Sequence, residues 1–321
     1  MENLINWLLE GDSWVKYRTQ IDILGLAEND KDVLESKMEI LKSSQIQNII
    51  NQVNDLPLKP INSHKSAEHP IHKLSFLADI GLTIKDEPIK IITEKILQYQ
   101  SEEGAFFVTM NIPKHFGGTG ENQFAWALCD APLILYSLLK FGLKDHFQIE
   151  KSLKFLSGLI SENGYSCKVS KELGKFRGPG KKSDPCPYSN LLMLKIFSCL
   201  PEKFIQERQK AIECQLDLWE NSLTKHPYMF FAGKDFRKLK APFVWYDILH
   251  VLDVLSQFKH LKTNNMVLEM FEIIKSKQNN QNRYISESIW KPWIDFDFGQ
   301  KKQPSRWLSF LATRISKRLN D

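Results

Sequence analysis

The sequence predicts an all-α protein and, more narrowly, an α/α toroid: a ring of helical hairpins with inner and outer helices, carrying extra N-terminal helices. Three observations predict it. Apolar residues recur at spacings of three and four along most of the chain, whereas β-branched alternation is nearly absent. A similar helix-start pattern returns in Pro185-Cys-Pro-Tyr188, Pro242-Phe-Val-Trp245 and Pro304-Ser-Arg-Trp307. Those starts recur about every 60 residues, the length of a helix–turn–helix plus one long loop.

In chain order, helices are predicted at 14–26, 31–41 and 45–53. Leu74, Leu77 and Ala78 then mark one at 72–80, and Ile91, Ile92, Ile96 and Leu97 mark one at 88–99. Phe124, Leu128, Ala131, Leu135 and Leu138 predict a long helix at 122–141, apolar nearly all round and therefore inner. The amphipathic stretch 148–159 reads as its outer partner. Leu191, Leu194, Ile196 and Phe197 place a helix at 188–199, followed by an amphipathic outer helix at 202–221. Val251, Leu252 and Leu255 place an inner helix at 243–258, then come 264–277 and, with Leu308, Leu311 and Ile315, 305–319. Proline suits a first helical position, where its missing N–H costs nothing, and this assigns Pro185, Pro242 and Pro304 to helix starts. Residues 1–55 are more charged and break the period, so they read as an N-terminal helical cap on a toroid of residues 56–321, the two forming one structural unit.

Composition sets outer bounds. The chain has 321 residues, 42% hydrophobic and 25% charged, an ordinary globular balance, and a formal charge of +5. That mild charge gives no reason to expect nucleic acid as a partner. Five cysteines, an odd number with no Cys-x-x-Cys pair, fit a reducing compartment. The N-terminus lacks a basic leader, and the longest apolar run, near 131–139, is too short to span a bilayer. A cytoplasmic protein without a membrane span is the expectation. P-loop, Gly-x-Gly-x-x-Gly and Gly-x-Ser-x-Gly motifs are absent, which leaves nucleotide-fold enzymes and serine hydrolases without support.

Four long loops enter the inner helices, at 107–121, 166–183, 225–241 and 285–303, and long ordered loops tend to carry function. They are basic: Lys175, Arg177, Lys181 and Lys182 in one, Lys234, Arg237, Lys238 and Lys240 in the next, and Lys301, Lys302 and Arg306 at the last. A rim of cations and helix N-termini suits a diphosphate or another polyanion. The plainer reading is a solvated loop surface. Beneath the rim, Trp126, Trp245, Tyr246 and Trp307, with Phe106, Phe124, Tyr188 and Phe298, either line an apolar pocket or form ordinary core.

Asp184 and Cys186 place a hard carboxylate beside a soft thiol, a pairing suited to a metal ion. His250 follows about one repeat later, and Asp247, three residues before it, shares its helix face. The plainer reading makes Cys186 a buried apolar residue and Asp184 a helix cap. His64, His69 and His72 have neither zinc-finger nor His-Glu-x-x-His spacing and read as a polar element of the rim. Asp130, in an apolar helix, needs a partner or a task. Asp295-Phe-Asp297-Phe lacks the run of adjacent acids that protonates an alkene.

The stretch Gly174-Lys-Phe-Arg-Gly-Pro-Gly-Lys-Lys-Ser-Asp-Pro-Cys-Pro-Tyr-Ser189 resembles the protein prenyltransferase β-subunit segment in which a Gly-x-Phe-x-Gly loop, a Lys and Asp-x-Cys-Tyr-Ser follow in that order. Gln100-Ser-Glu-Glu-Gly-Ala-Phe106 is similar to a shortened Gln/aromatic turn of terpene cyclases and prenyltransferases. The repeat pattern thus resembles the prenyltransferase/terpene-cyclase toroid superfamily over about residues 70–320. The resemblance implies a zinc ion held by Asp184, Cys186 and His250, and an isoprenyl diphosphate or similar anionic lipid as substrate. It implies that Arg177, Lys181, Lys182, Arg237, Lys240 and Arg306 take up the charge of a departing diphosphate, with Asp247 and Tyr188 as catalytic groups. A partner subunit is a further implication. The chain departs from the family in one respect: the family's histidine directly follows a tyrosine, and here Asp247 follows Tyr246. Two other classes stay open: a non-catalytic toroid that captures a polyanion or lipid, and a carbohydrate-acting α/α barrel with two opposed carboxylates among Asp184, Asp247, Asp295 and Asp297.

Overall fold

In the computed structural model, which describes residues 2–176, 178, 181 and 183–321, helices dominate. Among the described residues there are thirteen α-helices and two strands of three residues each. The fold is therefore mostly helical, as expected. None of these helices is long and apolar enough to cross a membrane. The chain divides into two compact units, one formed by Ile50–Phe231 and the other by Met1–Ile49 with Ala232–Asp321.

The middle unit is built on three buried helices, α5 (Pro70–Asp79), α7 (Ala131–Lys140) and α9 (Pro187–Phe197), each with nearly every residue out of water. α7 packs against both α5 and α9. The connecting helices α6 (Glu87–Leu97), α8 (Phe147–Ser157) and α10 (Ile205–Glu220) bury one face only, and α8 packs on α7 and α10 on α9. The three buried helices run parallel. At one end His64, ahead of α5, meets Asp130, the residue capping α7, and at the other Asp79, Tyr136 and Lys195 meet. Three parallel helices side by side require a return helix between each pair, and α6 and α8 supply it. Parallel alignment also collects three positive helix ends at one face.

The termini build the other unit. α1 (Glu2–Leu9), α2 (Ser13–Arg18), a π-helical turn at Thr19–Ile23 and α3 (Lys31–Lys42) join α11 (Ile248–Leu255), α12 (Asn265–Lys275) and α13 (Arg306–Asn320). α4 (Ser44–Val53) carries the chain across the boundary at residue 49. Its polar centre is an ion network: Asp253 on α11 receives Arg314 at 2.7 Å and Arg318 at 3.0 Å from α13, and Arg314 also reaches Asp22 at 3.2 Å. Each buried charge has an opposite partner, the condition for tolerating it inside a protein.

The helix starts carry the repeat. His69, Asp130, Cys186, Asp247 and Ser305 occupy the position just before α5, α7, α9, α11 and α13, and they recur about every 60 residues. The prolines sit differently from the expectation. Pro70, Pro132 and Pro187 take the first turn of their helices, whereas Pro185, Pro242 and Pro304 lie before the cap.

Two predicted helices are shorter than expected. Residues 123–125 form strand β2 (Gln123–Ala125), antiparallel to β1 (Val108–Met110), with Val108 opposite Ala125. The backbone amides that a helix would have used go elsewhere: Trp126 N–H donates to Ser170 Oγ at 3.1 Å, and Leu128 N–H to the Lys168 carbonyl at 3.0 Å. Residues 243–247 are likewise not helical. Asp247 caps α11 by accepting His250 N–H at 3.0 Å, and Ile248 N–H donates to Phe236 O at 2.9 Å. In both places an apolar run that reads as helix is instead a buried entry segment fixed by cross-loop hydrogen bonds.

Candidate functional site

The face where α5, α7 and α9 begin gathers polar chemistry that the core elsewhere excludes. Cys186, immediately before Pro187, is locked in place by its backbone. Its N–H donates to Tyr165 O at 2.7 Å, and its carbonyl accepts Asn190 Nδ2 at 2.8 Å. Asn190 also donates to Tyr165 O at 2.9 Å and accepts Tyr165 N–H at 3.0 Å, so one buried amide ties the approach strand to the first turn of α9. Gly164, just before Tyr165, sits at φ +102, and an added Cβ there would lie 3.3 Å from Asn190 Cγ, so the close approach needs glycine.

The Cys186 thiol is buried yet acidified to about 7. The largest cause is a hydrogen bond from the Cys129 thiol; burial opposes it, and the Ser189 hydroxyl and the Ser189 and Tyr188 amides at the start of α9 add to the effect. Cys129 correspondingly holds its proton, because it donates to Cys186 and is itself buried. The pair thus favours a thiolate on Cys186 with the proton kept on Cys129.

Beside it stands a histidine–carboxylate pair. His64 Nδ1 lies 2.7 Å from Asp130 Oδ2. Burial pulls the imidazole pKa down, but the Asp130 carboxylate outweighs it and the pKa ends raised, with the Cys186 charge adding in the same direction. The approach is close but off the hydrogen-bond axis, and among the described residues neither Asp130 oxygen receives a hydrogen bond. Asp130 is 1% exposed, and the close His64 imidazole is the partner that offsets the cost of burying its charge.

The other histidines are fixed and neutral. His72 Nε2 contacts the His64 carbonyl at 3.0 Å, and burial drives its pKa down to about 4. His69 Nδ1 accepts Ile71 N–H at 3.3 Å while Nε2 faces Lys59 O at 3.0 Å, which makes it the cap of α5. The histidine cluster read as a rim element thus divides into a cap, a buried spacer and one member paired with a carboxylate. Cys167 completes the group: its N–H donates to the Tyr228 hydroxyl at 3.2 Å, and its sulfur accepts Gly178 N–H at 3.1 Å.

The residues singled out from sequence fall in several settings. In the middle unit, Asp184 and Lys181 line an open cleft of about 660 Å³ together with Glu213, Asp217 and Lys225, and Lys181 N–H donates to Asp184 Oδ2 at 3.3 Å. Tyr188 is fully buried on α9. Trp126 is buried too, its Nε1 donating to Glu103 at 3.1 Å and its ring edge-on to Phe155 at 5.3 Å. Arg177 and Lys182 lie outside the described residues.

The remaining candidates belong to the other unit. His250 is buried, stacked on Phe243 at 4.6 Å, and its Nδ1 donates to Trp245 O at 3.0 Å. Asp247, also fully buried, has its pKa pushed up to about 7 by burial, against the pull of Lys240. Lys240 is buried 3.6 Å from Asp235 and 5.3 Å above the Trp290 ring. Arg237 Nε donates to Ala232 O at 3.2 Å. Arg306 Nε donates to Trp7 O at 2.8 Å, and its guanidinium covers the Trp7 ring at 4.9 Å. These three cations are engaged by their own unit. Tyr246 packs on Phe236 at 5.0 Å, and Trp307 stacks on Phe310 at 5.1 Å. Asp297 serves as a cap, accepting the Arg306 amide at 2.5 Å and the Trp307 amide at 3.2 Å.

Among the described residues, no three His, Cys, Asp or Glu side chains are gathered so as to hold a metal ion. Cys129 and the His64–Asp130 pair escaped the sequence reading as site members. The signal that pointed toward them was the need of Asp130, in an apolar run, for a partner. No family model and no curated protein matches the chain.

Proposed function

We propose that the chain is a prenyltransferase-like group-transfer enzyme of the α/α-toroid type, whose reacting end is the face where α5, α7 and α9 begin and whose substrate is an isoprenyl diphosphate or a similar anionic lipid. The observation that carries the reading is Cys186: a buried thiol held at a helix N-terminus, acidified by Cys129, in the same layer as the His64–Asp130 pair. Parallel helices flanked by return helices support the toroid, since that is the local arrangement a ring of hairpins repeats. Three helix N-termini and the exposed Lys175 and Lys181 supply positive potential for an anionic group.

Asp184, Cys186 and His250 are the residue types that would hold zinc. Asp184 faces a backbone amide and Cys186 faces Cys129, so the side chains are not arranged around an ion. Elemental analysis of purified protein decides its occupancy. The function is tested with a labelled isoprenyl diphosphate, measuring binding and transfer to a thiol acceptor. Saturable binding, with transfer lost in Cys186→Ala by about a hundredfold or more, supports the reading. Binding without turnover assigns the chain to the non-catalytic capture class, and absence of binding removes the proposal.

A second reading is favoured by the His64–Asp130 pair specifically. A thiolate, an imidazole and a carboxylate are the parts of a covalent acyl-transfer site, in which the Cys186 thiolate attacks an acyl thioester, takes the acyl group as its own thioester and displaces the donor's sulfur as a thiolate. Incubation with acyl thioesters followed by intact-mass measurement separates the two: an acyl adduct on Cys186 favours this reading over the first.

A further inference from the structure

The loops above Cys186 hold large apolar side chains in water. Phe116 is 62% exposed, Leu223 81%, Met229 80% and Phe231 53%. These side chains share one region of the middle unit, because the loops bearing them are joined. Lys175 N–H donates to Gly117 O at 3.2 Å, which ties the 113–120 loop to the 171–178 loop. Gly178 N–H donates to Cys167 Sγ, and Cys167 N–H donates to Tyr228 Oη, which ties that loop to 223–231. The Phe176 ring lies 6.2 Å from the His64 ring, so the joined loops roof the thiol site.

The backbone is bent to produce this exposure. Tyr228 and Met229 both adopt the left-handed conformation, at φ 52 and 64, which side chains other than glycine rarely take. The turn buries Tyr228 against Gly178 and Cys167 and throws Met229 outward. Burial of Tyr228 holds the turn, and Met229, 80% exposed, takes no part in that packing.

Charge says what the surface fits. Exposed Lys114, Lys171, Lys175 and Lys181 stand on the same joined loops as the apolar tips, exposed Lys225 is paired with Asp217 at 2.6 Å, and the acids on these loops are the exposed Glu121 and the half-buried Glu172 and Asp184. Apolar tips set among lysines match the boundary of an anionic bilayer, where the tips enter the acyl region and the ammonium groups meet headgroup phosphates. A second copy of the same face would set lysine against lysine. Aliphatic tips such as Leu223 and Met229 offer no ring for a nucleic-acid base to stack on.

We propose that this face docks on an anionic lipid surface, with Phe116, Met229, Phe231 and Leu223 inserted and the surrounding lysines on the headgroups. The inference goes beyond the group-transfer reading and does not need it. A chain that binds vesicles and shows no turnover leaves the docking face standing, and an active chain that ignores vesicles removes it.

The test is co-sedimentation of the full chain with vesicles of phosphatidylglycerol mixed with phosphatidylcholine, against phosphatidylcholine alone, at low and high salt. Binding to the anionic vesicles, weakened by salt, is expected. The Met229→Glu/Phe231→Glu double variant is expected to bind about tenfold or more weakly, since it removes two inserted groups and adds two negative charges. Phe147→Glu is the control. Phe147 is 72% exposed at the start of α8, a return helix, and so lies at the opposite end of the layer. It is expected to bind as the unaltered chain does, and melting temperatures confirm that all three proteins are folded. Absence of binding to anionic vesicles overturns the proposal, and so does equal loss in Phe147→Glu. A dimer in light scattering that the double variant dissociates, without vesicle binding, assigns the face to a second copy and overturns it as well.

Discussion

The Lys195 ammonium lies 3.1 Å from Asp79 Oδ2, and it joins α9 to α5. Tyr136 on α7 closes the group: its hydroxyl donates to Asp79 Oδ1 at 2.6 Å, and its ring lies 4.2 Å beneath the ammonium. All three buried helices thus contribute one member to a single polar knot, at the end of the layer away from the thiol site. Each apolar face packs without directional preference, whereas this knot has one satisfied arrangement and sets the register of the helices.

Lys195→Ala strands the Asp79 carboxylate and is expected to cost on the order of 3–5 kcal/mol of unfolding free energy. Lys195→Met combined with Asp79→Asn removes both charges, keeps an acceptor for Tyr136, and is expected to cost less. Urea denaturation of the single and double variants measures both. A double variant that loses as much as Lys195→Ala shows that shape, and not the buried charge, dominates.

Cys186 is expected to ionise near pH 7, well below an ordinary thiol. Because the Cys129 thiol is the leading cause, Cys129→Ala is expected to move the midpoint up toward 9.0, the unperturbed value. Thiolate ultraviolet absorbance against pH, with Cys186→Ala as the blank, reads the midpoint without requiring a reagent to enter a buried site. An unchanged midpoint in Cys129→Ala removes the shared-proton account of the pair.

Asn190 is predicted to position that thiol without touching any reacting atom. Asn190→Leu deletes the links to Tyr165 and to the Cys186 carbonyl and strands the buried Tyr165 N–H, at about 1–3 kcal/mol, while the Tyr165 and Cys186 carbonyls keep their backbone donors. A purely structural role lowers stability alone. A positioning role also shifts the Cys186 ionisation midpoint, because the α9 amides no longer converge on the sulfur. Measuring both in the same variant distinguishes the two.

The helix boundaries were the most legible part of the fold. α6, α8, α9, α12 and α13 begin and end within two residues of the apolar period read from the sequence, since burial of one face repeats every turn. α1 was missed; it is eight residues long, too short for a period to stand out. The helix expected at 122–141 misled for a physical reason. Phe124, Leu128 and Ala131 have helical spacing, but Asp130 and Pro132 start a helix there and do not continue one. The candidate site divides in the same way. Cys186 stood out because its neighbours in sequence are chemical, and Asp130 because a carboxylate in an apolar run needs a partner. That the partner is His64 depends on α5 and α7 lying parallel, and local sequence carries no trace of it.

Asp247 supplies the clearest pH signature. Burial raises its carboxyl from 3.8 to about 7, while its Oδ1 still caps α11 by accepting His250 N–H. A carboxyl whose folded pKa lies above its unfolded value binds its proton more tightly in the native state. Its contribution is therefore fully present below pH 3.8 and is lost as pH rises through about 7. A shift of that size corresponds to on the order of 4 kcal/mol at the alkaline limit. Asp247→Asn keeps the capping oxygen and replaces Oδ2, which has no donor among the described residues, with an uncharged group. The variant is expected to match the unaltered protein in acid and to exceed it in stability above neutrality, the difference growing between pH 4 and 7. Parallel stability curves across that range show that Asp247 does not titrate there, and they remove its candidacy as a proton donor at neutral pH.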